Sequence, residues 1–369
     1  ALLRLANRGV EIFRLDSAPY LWKRLGTACI NEPEVHRILA ALRCGVQLVA
    51  PGVLLKAEAI VPTGQATGYF GRGALAGKEC QLAYHSGLMA SAWAALAEGN
   101  AELPRQLLLQ TPPLPADTGW VTYVRCHDDI VWNVLRPLVR SNGGDFEQRI
   151  GKVVAFLEGR TPGSFARGAA FQSSNDNALH GTNGMTASLL GLGELPSGLI
   201  DPAALRRYVL LHALALWVGA VPLIYMGDEL GQGNNTDPAD AVRVARDGRW
   251  LQRPRLSSRA FHALTDDKGL PAATFAALRG LIALRRHARW PDVQTVTVVP
   301  AAEAGLLLLR RGDDAIGIFH FGHAEATLDL CALDPGGRWS DLLCSGAVQR
   351  NGSLTLQPWA TLWRVREHE

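Results

Sequence analysis

The sequence predicts an α/β fold. It reads as the part of a parallel (β/α)8 barrel holding strands four to eight, a long inserted loop region and a C-terminal antiparallel β-sandwich. Three observations predict it. Short apolar runs alternate with longer stretches of helical periodicity, the pattern of parallel strands joined by helical crossovers. Two long polar excursions leave the carboxyl ends of predicted strands, the face on which barrel enzymes build their sites. Past residue 290 the helical patterns stop and short β-rich runs take over.

Val10–Leu15, Val53–Ala57, Cys80–Tyr84, Val121–Cys126 and Val221–Tyr225 read as strands. Glu32–Leu42, Leu88–Ala97, Leu103–Leu109, Pro202–Val218 and Ala272–Arg286 carry helical spacing. Five β/α units result, whereas closure takes eight. The other three are expected upstream of Ala1, because Ala1 to Asn7 read as the tail of a helix already in progress. The first excursion runs from Asp128 to about Leu190, rich in Gly, Asn and Ser, with one helical pattern near Phe146–Leu157. Loops that long in a compact domain usually carry function. The second runs from Gly227 to about Phe261. After Arg289-Trp290-Pro291 come Val293–Val299, Gly305–Arg310, Ala315–Phe321, Ala326–Leu330 and Ser353–Leu356, separated by Gly, Asp or Asn. The chain thus divides into barrel strands four to seven (1–127), an inserted loop subdomain (128–190), the barrel end with strand eight and its loop (191–290), and the sandwich (291–369).

Composition narrows the function. With 48% hydrophobic and 19% charged residues the chain is a folded one. A net charge of +3 without a dense Lys/Arg tract argues against a nucleic-acid partner. No apolar run reaches the roughly 18 residues that span a bilayer, so no membrane is expected. Val209 to Ile224 comes nearest and is broken by Gly219 and Pro222. The six cysteines form no zinc spacing and read as buried free thiols, and neither a metal nor another cofactor is expected. The stretch Gly71–Glu79 resembles a phosphate loop, but Arg72 and Glu79 occupy positions that need Gly and Ser/Thr.

Three predicted strands end in acids, and three acids at successive strand ends suit a glycosidase pocket. Arg14 and Asp16 lie two apart, so on a strand they share a face. A guanidinium there lowers the acid's pKa, which suits a nucleophile; a structural ion pair is the alternative. Glu58 follows Val53-Leu54-Leu55. An apolar setting favours the neutral acid, as a proton donor requires, although Lys56 would oppose this if it faced the same way. An ordinary loop glutamate is the alternative. His127-Asp128-Asp129 offers an imidazole for sugar hydroxyls and carboxylates for positive charge, or else a capping cluster that opens the next loop.

These segments resemble the α-amylase superfamily, glycoside hydrolase family 13, and within it the amylosucrase and sucrose hydrolase branch. Phe13-Arg14-Leu15-Asp16-Ser17, Lys56-Ala57-Glu58-Ala59-Ile60 and Cys126-His127-Asp128-Asp129 match the motifs of strands four, five and seven. Leu21-Trp22-Lys23-Arg24-Leu25-Gly26-Thr27, Gly163–Gly168, Pro222–Glu229, Arg249-Trp250 and Arg253-Pro254-Arg255 extend the likeness along nearly the whole chain. The resemblance implies a TIM barrel and a retaining enzyme that moves glucose from sucrose to an α-glucan acceptor. Asp16 is then nucleophile, Glu58 acid/base and Asp128 transition-state stabiliser. Arg14 and His127 contact the glucosyl unit, and Asp129 pairs with Arg253 to close the pocket. A sucrose hydrolase, a trehalose-forming isomerase and a sugar-binding remnant without turnover are the alternatives. The family's early-strand Asp and His are absent here, and Asn177-Ala178-Leu179-His180 lacks the arginine expected on the acceptor side.

Overall fold

The computed structural model describes residues 1–171, 179–195, 197–256, 258–265, 269–287, 296–333, 338–350 and 352–367. Asn177-Ala178, the Arg289–Pro291 boundary and the first residues of the predicted strand Val293–Val299 lie outside them.

The barrel part begins with β1 (Ile12–Leu15), α1 (Pro33–Val49), β2 (Leu54–Ala57) and β3 (Leu82–Tyr84). It continues with α2 (Ser86–Glu98), α3 (Glu102–Gln110), β4 (Gly119–Tyr123), α4 (Phe146–Leu157), α5 (Pro202–Val218) and β5 (Val221–Leu223). The five strands form one parallel sheet in chain order, so each crossover leads to the neighbouring strand. Register pairs Leu15 with Ala57, Ala57 with Ala83, and Tyr84 with Val121. Residues just past the carboxyl ends of β1, β2 and β4 therefore share one rim. Among the described residues the sheet is an open arc, with β1 and β5 at its edges.

Helix burial follows sequence character. α2 and α5 are apolar nearly all round and buried on nearly all sides. α1 buries only Val35, Leu39 and Val46. Asp145 caps α4 by accepting from the Gln148 N–H, and Asp201 caps α5 ahead of Pro202. α4 buries Phe146, Ile150, Val153, Val154 and Leu157, a helical stripe, in the same core as α2 and α5. α4, within the first excursion, thus belongs to the core.

After α6 (Gly269–His287) come β6 (Val296–Val299), β7 (Leu306–Arg311), β8 (Ala315–His320), β9 (Ala326–Asp329), β10 (Trp339–Arg350) and β11 (Ser353–Arg366). They form one antiparallel sheet, ordered β9-β11-β8-β7-β6, with β10 also on β11. Leu307 and Leu309 face the barrel helices, while Leu306 and Leu308 face a separate cluster with Ile316, Ile318 and Leu354. Four consecutive buried leucines need a strand covered on both faces. Sequence reading missed β10 and stopped β11 at Leu356. Two register shifts in β10, near Asp341 and Ser345, break its alternation. In β11 the signal breaks at Pro358.

The cysteines correct another expectation. Cys29, Cys44, Cys80, Cys126 and Cys344 are free, but Cys44 and Cys344 are exposed and only Cys80 among these five is fully buried. The Cys331 side chain lies outside the described ones.

Candidate active site

The pocket lies on the carboxyl rim of the sheet, between the ends of β1, β2, β3 and β4. Tyr84 and Tyr123 meet edge to face inside it, 5.4 Å between centroids, and the Tyr123 hydroxyl donates to Ser86 Oγ at 3.1 Å. Arg14, Glu58, His127, Asp128 and Asp129 all line it.

Asp16 stands at the rim rather than among the lining residues, its side chain 75% exposed and bonded to Arg14. The chain then turns sharply, with Ser17 in the left-handed region at φ 48°. That turn aims the Ser17 N–H at Glu58 Oε2, 2.5 Å away. Nothing in the sequence pattern singled out Ser17. Arg14 also lies 3.9 Å from Glu58 Oε1, so one guanidinium touches both acids.

Burial pushes the Glu58 carboxyl above its ordinary range; the Ser17 N–H and Arg14 oppose this, and Asp16 and Asp128 add to it. The Lys56 ammonium sits over the Tyr84 ring, 4.6 Å from its centroid. Its alternation on β2 does not stop burial from winning at Glu58.

At the end of β4, Asp128 is the hub. Its Oδ1 accepts from Arg249 at 3.4 Å and Arg253 at 3.3 Å, and its Oδ2 lies 3.3 Å from His127 Nε2. Partial burial pushes the His127 imidazole down, and Arg14, Arg253 and Arg249 push the same way against Asp128. The expected Asp129–Arg253 pair is corrected: Arg253 reaches Asp128 and, at 3.0 Å, the His127 carbonyl. Consecutive residues past a strand end project in different directions. Asp129 is packed against Gly181, where any Cβ would collide with the carboxylate. Burial raises the Asp129 carboxyl.

The two excursions meet at Gln252, which is fully buried. It accepts from the Gly184 N–H and donates to Asn183 Oδ1, both at 3.0 Å, while Tyr225 donates to its carbonyl at 2.7 Å. Sequence reasoning missed Gln252, Tyr84 and Tyr123, because no chemistry marks a single amide or tyrosine. Arg249 could have been found only through the longer resemblance. Among the described residues no group of three or more His, Cys, Asp or Glu side chains is arranged to hold a metal ion. The arrangement provides a buried carboxyl raised by its burial and an exposed carboxylate on adjacent strand ends, with a second carboxylate across the pocket.

No protein-family model matches the chain. It is 27% identical over 370 residues to the glucosylglycerate phosphorylase of Escherichia coli strain K12, an alignment covering 98% of this chain and 61% of that protein. It is 28% identical to the trehalose synthase/amylase TreS of Mycolicibacterium smegmatis, over 66% of this chain and 35% of that protein. The crystal structure of sucrose 6F-phosphate phosphorylase from Thermoanaerobacter thermosaccharolyticum superposes with a TM-score of 0.61 at 20% identity, covering 86% of this chain and 57% of that one.

Proposed function

We propose that this chain, a member of the α-amylase superfamily of glycoside hydrolases, transfers an α-glucosyl unit with retention through a covalent intermediate on Asp16. The observation that carries the reading is the Arg14 bridge between two acids in unlike settings. Asp16 is exposed and held by the guanidinium; Glu58 is buried and pushed toward its protonated form. In the first step the donor's anomeric C–O bond breaks, a bond to the Asp16 carboxylate forms, and the Glu58 proton goes to the leaving oxygen. In the second step an acceptor hydroxyl gives its proton to Glu58 and attacks the anomeric carbon, whose bond to Asp16 breaks and returns the free carboxylate. Asp128 faces the ring's positive charge, and Arg14 and His127 contact its hydroxyls. Asp129, under Gly181, and Arg253, on Asp128, shape the pocket wall.

Sucrose as donor and an α-glucan as acceptor is the finer reading, supported by the motif matches beyond the acids. Hydrolysis and isomerisation differ only in the acceptor. A second reading is phosphorolysis, with inorganic phosphate as acceptor. It is favoured because the relative aligned along 98% of this chain is a phosphorylase. Incubation with 5-fluoro-α-glucosyl fluoride, followed by peptide mass analysis, tests the shared chemistry. The peptide bearing Asp16 should carry the fluoroglucosyl mass. Label on another residue would move the nucleophile, and sugar binding without label would leave only a binding protein. Sucrose supplied with and without phosphate then separates glucose 1-phosphate, glucan, free glucose and an isomer as products.

A further inference from the structure

Beneath the Asp128–Asp129 turn lies a charge that the proposed reaction does not use. Arg125 follows β4 and is completely buried. Its Nε donates to the Gly184 carbonyl and its Nη2 to the Asp128 carbonyl, each at 3.0 Å. Its Nη1 has no hydrogen-bond partner, and no carboxylate among the described residues lies within ion-pair distance of it. A guanidinium taken out of water without a direct counter-charge is costly, so neighbouring groups must offset it. Two carbonyls do part of this. The nearby charge is carboxylate.

We propose that Arg125 is a positioning residue for the Asp128–Asp129 turn: it clamps the Asp128 backbone to Gly184 of the first excursion and sets its positive charge beneath Asp129. The clamp leaves the Asp128 side chain turned toward Arg249, Arg253 and the pocket. The charge acts on Asp129, which burial pushes up while Arg125 and Arg249 pull it down and Asp128 pushes it up again. Cys126, Tyr123 and Tyr225 also feel Arg125, and Arg253 acts on Tyr225 as well. Without Arg125 the Asp129 carboxyl loses one of its two opposing cations, and the turn loses its tie to Gly184. The inference rests on the proposed transfer reaction for its kinetic consequence only.

The test uses the protein with Arg125→Lys and Arg125→Gln. Circular dichroism and thermal melting establish folding, and carbon-13 NMR of labelled aspartate follows the Asp129 carboxyl. Arg125→Gln should move the Asp129 titration to higher pH, and Arg125→Lys should return it toward the parent. With α-glucosyl fluoride, Arg125→Gln should lower kcat by about 100-fold, the scale of a small misplacement, with little change in KM. Its acid limb should move to higher pH, and Arg125→Lys should recover part of the loss. An unmoved Asp129 titration in folded Arg125→Gln would overturn the proposal. So would equal displacement in both variants, or failure of both to fold, since either reduces Arg125 to packing. If the parent transfers no glucose, the transfer reading falls, and the titration still decides the role of Arg125.

Discussion

At the residue scale, Glu58 carries a conflict between stability and chemistry. Its carboxyl is raised by burial, so the folded protein holds the proton to higher pH than the unfolded chain does. In the window between the ordinary and raised values the native state binds more protons, and stability falls as pH rises through it. Glu58→Gln replaces the acid with a neutral group of the same shape. It should raise the melting temperature at neutral pH and remove that part of the pH dependence, as differential scanning calorimetry across pH 4–8 would read. The same change should lower sucrose turnover by about 10²–10⁴-fold and glucosyl fluoride turnover less, because fluoride leaves without a proton and only the second step then calls on Glu58. Equal losses on both donors, or a lower melting temperature, would contradict the assignment. The Glu58 environment was half legible: Val53-Leu54-Leu55 signalled the apolar side, but the Ser17 N–H comes from a turn whose φ no pattern announces.

At the element scale, α4 decides whether the first excursion is a loop or a structural arm. Ile150 and Leu157 are fully buried, and α4 packs on α2. The strand pair Ala169–Ala170 with Thr182–Asn183 lies downstream of it, and that pair meets Gln252 and precedes Gly184. Ile150→Ala should cost about 2–5 kcal/mol, the range for a truncated core aliphatic, read by urea denaturation. Loosening the arm should also raise KM more than it lowers kcat, because the acids themselves sit on the sheet. A stability loss near zero would show that α4 is dispensable. The 3.6-residue stripe made this helix readable to its last residue. β10 was unreadable, because each register shift inverts which side chains point inward.

At the scale of the whole molecule, the sheet edges that are unpaired among the described residues dominate. Ile12 on β1 is 45% exposed and Val221 on β5 is 40% exposed. An apolar edge with free backbone groups invites pairing with another chain. The 369-residue chain, prepared alone, should associate as its concentration rises, seen as a growing weight-average mass in sedimentation equilibrium. Ile12→Lys should suppress that association while leaving the far-ultraviolet spectrum unchanged. A monomer at all concentrations for both chains would show that the edges are quiet. The chain spans 61% of the length of the E. coli phosphorylase it matches.

The sequence by itself determined the element types of the barrel part, the order of its parallel strands and the rim on which the acids gather. Those follow from local periodicity, and a strand end fixes a height in the sheet wherever its neighbours go. Arg14 with Asp16, Glu58, and the His127–Asp129 cluster were all found this way. Tertiary structure alone decided which acid past β4 meets Arg249 and Arg253. Asp128 and Asp129 differ by one position, and only the packing of Gly181 against Asp129 leaves Asp128 to receive Arg249 and Arg253. It also decided the burial of Arg125 and Gln252, whose partners include residues roughly 60 to 70 positions away, Gly184 for Arg125 and Asn183 and Gly184 for Gln252. Contacts of that kind depend on how two long excursions settle on each other, and no local spacing encodes it.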